Sequence, residues 1–374
     1  MANKFRVAVV GVRAVGQEMI RSLQQRKFPF SSLRVFATRA REVAVDGRPC
    51  PVEAISEEAF KEVDIAFFAG GDKAEGHFGW PAVRQGAIVI DNAAAYRLYP
   101  NVPLVVPEVN PEALRKHEGL IANPNCSTIQ LVVALKPLHD AARIRRVVVS
   151  TYQAVSGRGM SPNGSEPVST LHKEATRLAK KIEARVNEAA ADERLAVMLR
   201  AAETQEEPED PSLFPCQIAG NCLPQVDAFG ELDYTKEELK MVYETRKILG
   251  DENLQITATC VRVPVFNSHC ESVNVEFHSP LSAAEAKKIL RTAPGVKVID
   301  EPAPGGYPLP RQASGKDAVF VGRIREDRTV PYGLNLWVVS DNLKKGAALN
   351  AVQIGEKMIE MGLLQPKAKT GKAK

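Results

Sequence analysis

Short apolar runs that end in glycine or polar turns dominate the first third of the chain. Phe5–Val10 (FRVAVV) reads as a strand buried on both faces, and it runs into Gly11-Val12-Arg13-Ala14-Val15-Gly16. Gln17–Gln25 then places apolar residues at 19, 20 and 23, a helical spacing. Leu33–Ala37, Asp64–Ala69 and Ala87–Asp91 repeat the buried-strand pattern. Strands alternating with helices predict an α/β fold built on a doubly wound, Rossmann-type parallel sheet, which takes ligands at the C-terminal ends of its strands.

Beyond Arg146 the pattern changes. Arg146–Ala154 is strand-like, and from Val168 to about Gln205 the chain turns charged. Leu171, Leu178, Ile182, Val186, Leu195, Val197 and Leu199 leave a broken helical stripe there, which predicts a helical insert at about 165–210. Tyr234–Leu249 reads as a helix opened by a capping box, Thr235 with Glu238, and Ser282 with Glu285 opens another. Leu254–Val263, Ser272–His278 and Leu334–Val339 alternate as strands, separated mostly by turns. This predicts a second, α+β domain with a mixed sheet. Lys345–Met361 closes the chain as a helix with an apolar stripe suited to packing back on the first domain. The predicted division is therefore 1–125 with 345–374, and 126–344.

One junction carries chemistry. Asn123-Pro124-Asn125-Cys126-Ser127-Thr128 lies between the apolar run Gly119–Ala122 and the helix-length apolar run Ile129–Leu138. A cysteine at a helix start feels the positive end of the backbone dipole and the unbonded N–H groups of the first turn. Both favour a thiolate nucleophile, and the same N–H groups are placed to hold an oxyanion. The ordinary alternative is a small buried residue at a turn.

Composition narrows the classes. Hydrophobic residues make up 44% and charged residues 25% of the chain, and the net charge of +4 gives no reason to invoke nucleic acid. The six cysteines fall without metal-ligand spacing, so no metal is expected. The N-terminus runs directly into a strand, and no apolar run reaches the ~18 residues needed to span a bilayer. These features point to the cytoplasm and reduced thiols. The turn Gly11–Gly16 is a shortened dinucleotide fingerprint, equally readable as an ordinary strand-to-helix turn. Glu237 and Lys240 share a helix face and by themselves read as a solvated pair.

Taken together, several stretches resemble the aspartate-semialdehyde dehydrogenase family: Val7–Gly11 with Ala14–Glu18, Val105–Asn110, Asn123–Thr128, Ser150–Gly157, Glu244–Leu249, Cys260–Val265 with His269, and Ser340–Asn350. The resemblance covers nearly the whole chain in order. It implies NADPH-dependent reductive dephosphorylation of 4-phospho-L-aspartate to L-aspartate 4-semialdehyde through a thioester, in a homodimer or tetramer. It implies Cys126 as nucleophile, His269 as acid/base and Gln153 as the amide that orients the reacting group. Arg262 then clamps the substrate carboxylate, Glu237 meets its amino group, Lys240 and Arg97 bind phosphate, and Asn125 helps hold phosphate or oxyanion. For NADP it implies the turn residues Gly11, Ala14, Val15 and Gly16, with Arg13 inside the turn, Thr38 near the 2′-phosphate beside Arg39, and Gly157, Asn350 and Gln353 near the nicotinamide. The family turn Gly-Ala-Thr-Gly-Ala-Val-Gly is one residue shorter here and lacks its middle glycine. That departure keeps open a catalytically silent binding or regulatory relative; a third reading is an N-acyl-glutamyl-phosphate reductase.

Overall fold

The computed structural model describes residues 4–70, 76–161, 163–188, 193–203 and 206–367. The first sheet has the order β3-β4-β2-β1-β5-β6-β7. Its strands are β1 (Phe5–Val10), β2 (Phe30–Ala37), β3 (Arg41–Val45), β4 (Arg48–Ala54), β5 (Ile65–Phe68), β6 (Ile88–Asp91) and β7 (Leu120–Ala122). Every pairing is parallel except the β3–β4 hairpin. The second sheet, ordered β11-β12-β13-β10-β8-β9, comprises β8 (Ile144–Gln153), β9 (Gln255–Arg262), β10 (His269–Phe277), β11 (Val296–Val298), β12 (Val319–Asp327) and β13 (Gly333–Ser340). It is mixed, with β8–β9 and β11–β12 parallel and its other pairs antiparallel. The helices are α1 (Ala14–Gln25), α2 (Gly79–Arg84), α3 (Cys126–Ala142), α4 (Pro167–Glu188), α5 (Arg194–Glu203), α6 (Lys236–Leu249), α7 (Ala283–Thr292), α8 (Pro310–Ala313) and α9 (Leu349–Glu360).

Alternation along each strand divides the core. Val7, Val9, Ile65 and Phe67 face α1 and α9 and meet Met19, Leu23, Val352 and Met358. Ala8, Val10, Ala66 and Phe68 belong to the other core, which continues through Ile129, Leu131 and Leu135 of α3 to Val147, Val149, Val273 and Leu336 of the second sheet. Residues 127–135 of α3 are thus enclosed on all sides, which is why 129–135 is apolar nearly all round. Both capping boxes form, Thr235 with Glu238 and Ser282 with Glu285.

The sheets also fix where the site lies. Strands β8 and β9 run parallel and end together, and β10 starts at that same edge. Gln153 closes β8, Arg262 closes β9 and His269 opens β10, so the three stand in one row. The N-termini of α3 and α6 meet this edge.

The chain differs from the sequence reading in several places. The β3–β4 hairpin was not anticipated, because charged residues and prolines interrupt its apolar pattern on an exposed sheet edge. Strand β12 is hidden by the charged residues of its outer half. The closing helix begins one turn late, after a π-helical segment at Lys344–Ala348. Of the insert's stripe, Leu171 is buried against Val155, Leu213 and Phe214. The side chains of Leu195, Val197 and Leu199, and residues 368–374 of the predicted first domain, lie outside the described residues. Among the described residues no helix is long and apolar enough to cross a membrane, and no cluster of metal-ligating side chains forms.

Candidate active site

Asn125 is the N-cap of α3. Its Oδ1 accepts the N–H groups of Ser127 (2.9 Å) and Thr128 (3.2 Å), and its carbonyl accepts that of Ile129 (2.9 Å). Of the first-turn donors, the cap leaves only the N–H of Cys126. The oxyanion function read from the sequence therefore narrows to that one backbone group. The Asn125 amide donates to Glu237 Oε1 (2.9 Å), and Gln153 Nε2 donates to the same oxygen (3.0 Å) and to Ser127 Oγ (3.0 Å). Lys240 Nζ bonds Asp227 (2.9 Å) and the second oxygen of Glu237 (3.3 Å), so this pair is no solvated surface contact.

Three cations surround the thiol. Arg97 donates to Glu244 Oε1 (2.9 Å) and to the Asn92 carbonyl (2.6 Å). Arg262 donates to the Ala154 carbonyl (2.7 Å), while the Ala154 N–H donates to Nδ1 of His269 (3.0 Å). One residue thus orients both side chains. Because Nδ1 is the acceptor, the ring proton of the neutral imidazole sits on Nε2, which is buried and without a partner among the described residues. Gly157 closes this wall: a Cβ there would lie 2.8 Å from His269 Nε2 and 3.1 Å from Arg262 Nη1.

The electrostatics set the starting protonation states. Burial, and then the Glu237 carboxylate, push the Cys126 thiol up to about 12, while Arg262, Arg97 and Lys240 pull it back only in part. Cys126 is therefore a thiol in the free chain, not the thiolate that its helix position suggested. Burial, with Arg262 adding to it, holds His269 well below the ordinary imidazole range. It is therefore neutral at neutral pH, with its ring hydrogen on Nε2. Burial acts to raise the Glu237 carboxyl, but Lys240, Asn125, Gln153 and Arg262 outweigh it and keep the group ionised below the usual range.

The cofactor-side residues are more open. A Cβ on Gly16 would stand 1.9 Å from the Gly11 carbonyl oxygen, so the shortened turn holds two of the fingerprint's close approaches with two glycines. Arg13 is the exposed N-cap of α1, Ala14 is exposed and Val15 half-buried. Thr38 and Arg39 follow β2, beside the end of β1, and both are exposed. Asn350 is fully buried, and its amide is spent on the Val105 carbonyl, Asn123 and Lys345. Gln353 is half-buried and bonds Lys345 and Glu108. A glycine-lined turn at the C-terminal edge of a parallel sheet fits a dinucleotide.

Residues 6–117 match the semialdehyde dehydrogenase NAD binding domain, and residues 135–345 match the semialdehyde dehydrogenase dimerisation domain. An aspartate-semialdehyde dehydrogenase of Aquifex aeolicus is 47% identical over 367 residues, covering 96% of this chain and 99% of the relative. One from Bacillus subtilis is 42% identical over 376 residues, covering 97% and 100%. The chain belongs to the aspartate-semialdehyde dehydrogenase family. Among solved structures, aspartate semialdehyde dehydrogenase II of Vibrio cholerae, complexed with ASA, superposes with a TM-score of 0.83 at 38% identity, over 96% of this chain and 99% of that one. A nicotinamide-dependent oxidoreductase acting on a small molecule follows from the family.

Within this family frame, the structure adds residues that the sequence reading left out. Glu244 joins Arg97 to the backbone of Asn125. Gly346, in the π-helical segment, lies so near that a Cβ would meet Cys126 Cβ at 2.9 Å. Lys345 beside it is fully buried against Glu108 (2.7 Å) and steadies the segment. Arg158 donates to the carbonyls of Leu213 and Ser212 in the segment after α5. The pattern Glu237, Met241, Glu244, Ile248 on α6 was the available signal for Glu244, since these residues recur on one helical face.

Proposed function

We propose that this chain catalyses the NADPH-dependent reductive dephosphorylation of 4-phospho-L-aspartate to L-aspartate 4-semialdehyde, a step of aspartate-family amino-acid and diaminopimelate biosynthesis. The single observation that carries this reading is the charge pattern around Cys126: the Glu237 carboxylate and three cations, Arg97, Lys240 and Arg262. A zwitterionic acyl phosphate matches it group for group. Glu237 takes the ammonium, Arg262 the α-carboxylate, and Arg97 with Lys240 the phosphate. Glu237 favours a free amine, which an N-acylated substrate lacks. A silent relative has no use for the complete set.

Cys126 Sγ attacks the acyl carbon, the bond to phosphate breaks, and the thiol proton leaves with the phosphate as a thioester forms. The Cys126 N–H and the Nε2–H of His269 donate to the oxyanion. NADPH, when bound, supplies the hydride that reduces the thioester carbon. Cys126 then departs as thiolate and regains a proton. Gln153 and Asn125 hold Glu237 and the start of α3 in place throughout. Gly11, Arg13, Ala14, Val15, Gly16, Thr38 and Arg39 cradle NADP, with Gly157 at the nicotinamide; Asn350 and Gln353 act there by fixing Lys345 and Glu108.

The reading includes a working division into a cofactor domain, 1–125 with 345–374, and a catalytic and dimerisation domain, 126–344. It also includes a homodimer in the cytoplasm, where the free thiols stay reduced. The test follows NADPH formation from aspartate semialdehyde, NADP and phosphate. Phosphate-dependent turnover is expected. Absence of turnover, with no NADP binding by calorimetry, would overturn the reading.

A further inference from the structure

Glu244 lies two helical turns beyond Glu237 on the same face of α6 and is 1% exposed. Its two oxygens each accept from a different donor. Oε1 accepts Arg97 Nη1 at 2.9 Å, and Oε2 accepts the backbone N–H of Asn125 at 2.7 Å. Asn125 immediately precedes the nucleophile, so this one carboxylate touches both the arginine and the start of the nucleophile helix. Arg97 Nη2 is held by the Asn92 carbonyl, while its Nε is buried and has no partner among the described residues. Lys247, one turn further along α6, reinforces the link: its ammonium donates to the carbonyls of Arg97 (2.8 Å), Tyr99 (2.7 Å) and Val102 (2.8 Å).

We propose that Glu244 is a positioning residue that sets the spacing between the phosphate-binding arginine and Cys126. By holding one Nη1 hydrogen while Asn92 holds one on Nη2, it fixes the guanidinium plane and leaves its unpartnered Nε–H among the donors for the phosphate. By holding the Asn125 N–H, it ties that donor to the helix whose first residue attacks the acyl carbon. Both partners of Glu244 are N–H donors, so only a carboxylate satisfies both. An amide sets its NH₂ against one of them. Lys247 holds the backbone that carries Arg97, so the phosphate clamp is braced at side chain and main chain from a single helix. This rests on the reading of Arg97 as a phosphate ligand given above.

Oxidative turnover separates the contributions, because phosphate, semialdehyde and NADP are three distinct substrates with their own KM. In Glu244→Gln, KM for phosphate is expected to rise about 10- to 100-fold, the range for losing a hydrogen bond to a charged group. KM for NADP and for the semialdehyde should stay within about twofold. In the Arg97→Ala background, adding Glu244→Gln should cost no further phosphate affinity. An unchanged phosphate KM, or a parallel rise in all three constants, would overturn the proposal. If Glu244→Gln does not fold, Lys247→Met carries the same test: a selective rise in phosphate KM supports the proposal, and an unselective effect or none sinks it. A failure of the functional reading itself looks different, because the unsubstituted enzyme then shows no phosphate-dependent turnover.

Discussion

At the substrate end of the site, Arg97, Asn125, Gln153, Glu237, Arg262 and His269 are all less than a tenth exposed, and each is held by hydrogen bonds to protein. At the cofactor end, Arg13, Ala14, Thr38 and Arg39 are exposed, and the turn that presents them is shaped by glycines. The difference separates two ways of making a site. The substrate end is preorganised: its dipoles are fixed before the ligand arrives, so little reorganisation is left for the reaction. In the proposed reading the cofactor end works by shape, bringing backbone close to a pyrophosphate and leaving long cations free to reach it. On that reading the turn can lose a residue and gain an arginine, whereas the cluster around Cys126 has to keep each charge in place.

The contrast can be broken at either end. The largest effect is expected for Cys126→Ala, which should lower turnover by at least about 10⁴-fold while NADP affinity, measured by calorimetry, stays unchanged. Gly157→Ala comes next. The new methyl meets His269 Nε2 at 2.8 Å, and displacing that donor should reduce kcat on the order of 10²-fold in steady-state assays. At the cofactor end, Arg39→Ala should cost only about tenfold in kcat/KM with NADP and little with NAD, leaving phosphate KM untouched. An effect as large as that of Gly157→Ala would erase the proposed contrast.

The smallest effect concerns stability. Glu271 lies behind the site on β10, with neither carboxyl oxygen partnered among the described residues, and burial holds it well above the usual carboxylate range against a weak pull from Gln130. The folded chain keeps a proton there that the unfolded chain releases above about pH 4.3. Its contribution is therefore fully present below that pH and is lost as pH rises toward the folded value. Glu271→Gln cannot ionise, so its melting temperature should gain on the parent between pH 5 and pH 8, by roughly 2 °C. A gap that narrows over that range would reverse the assignment.

Legibility in the sequence follows the same divide between local and distant causes. The strand-turn-helix around Cys126, both capping boxes and the parallel sheet were readable because each is written in neighbouring residues. The β3–β4 hairpin carried a readable signal that the apolar pattern obscured: Asp46 and Gly47 both take positive φ at its tip, as a two-residue hairpin turn requires. Glu244 carried only the signal of the helical face it shares with Glu237, and Gly346 carried none, since the partners of both lie far away in sequence and only packing brings them together. The protonation of Cys126 was misjudged for a related reason. A helix N-terminus is visible locally, but the burial and the Glu237 carboxylate that outweigh it are not.

The central claim is that Cys126 carries the substrate acyl group between the phosphate and hydride steps. Mixing the enzyme with aspartate semialdehyde and NADP, with phosphate left out, isolates that intermediate. The account requires a burst of NADPH approaching one equivalent per chain, an aspartyl adduct on Cys126 by mass spectrometry, and its release when phosphate is added. A burst that persists in Cys126→Ala, or NADPH formation with no adduct on Cys126, would contradict it.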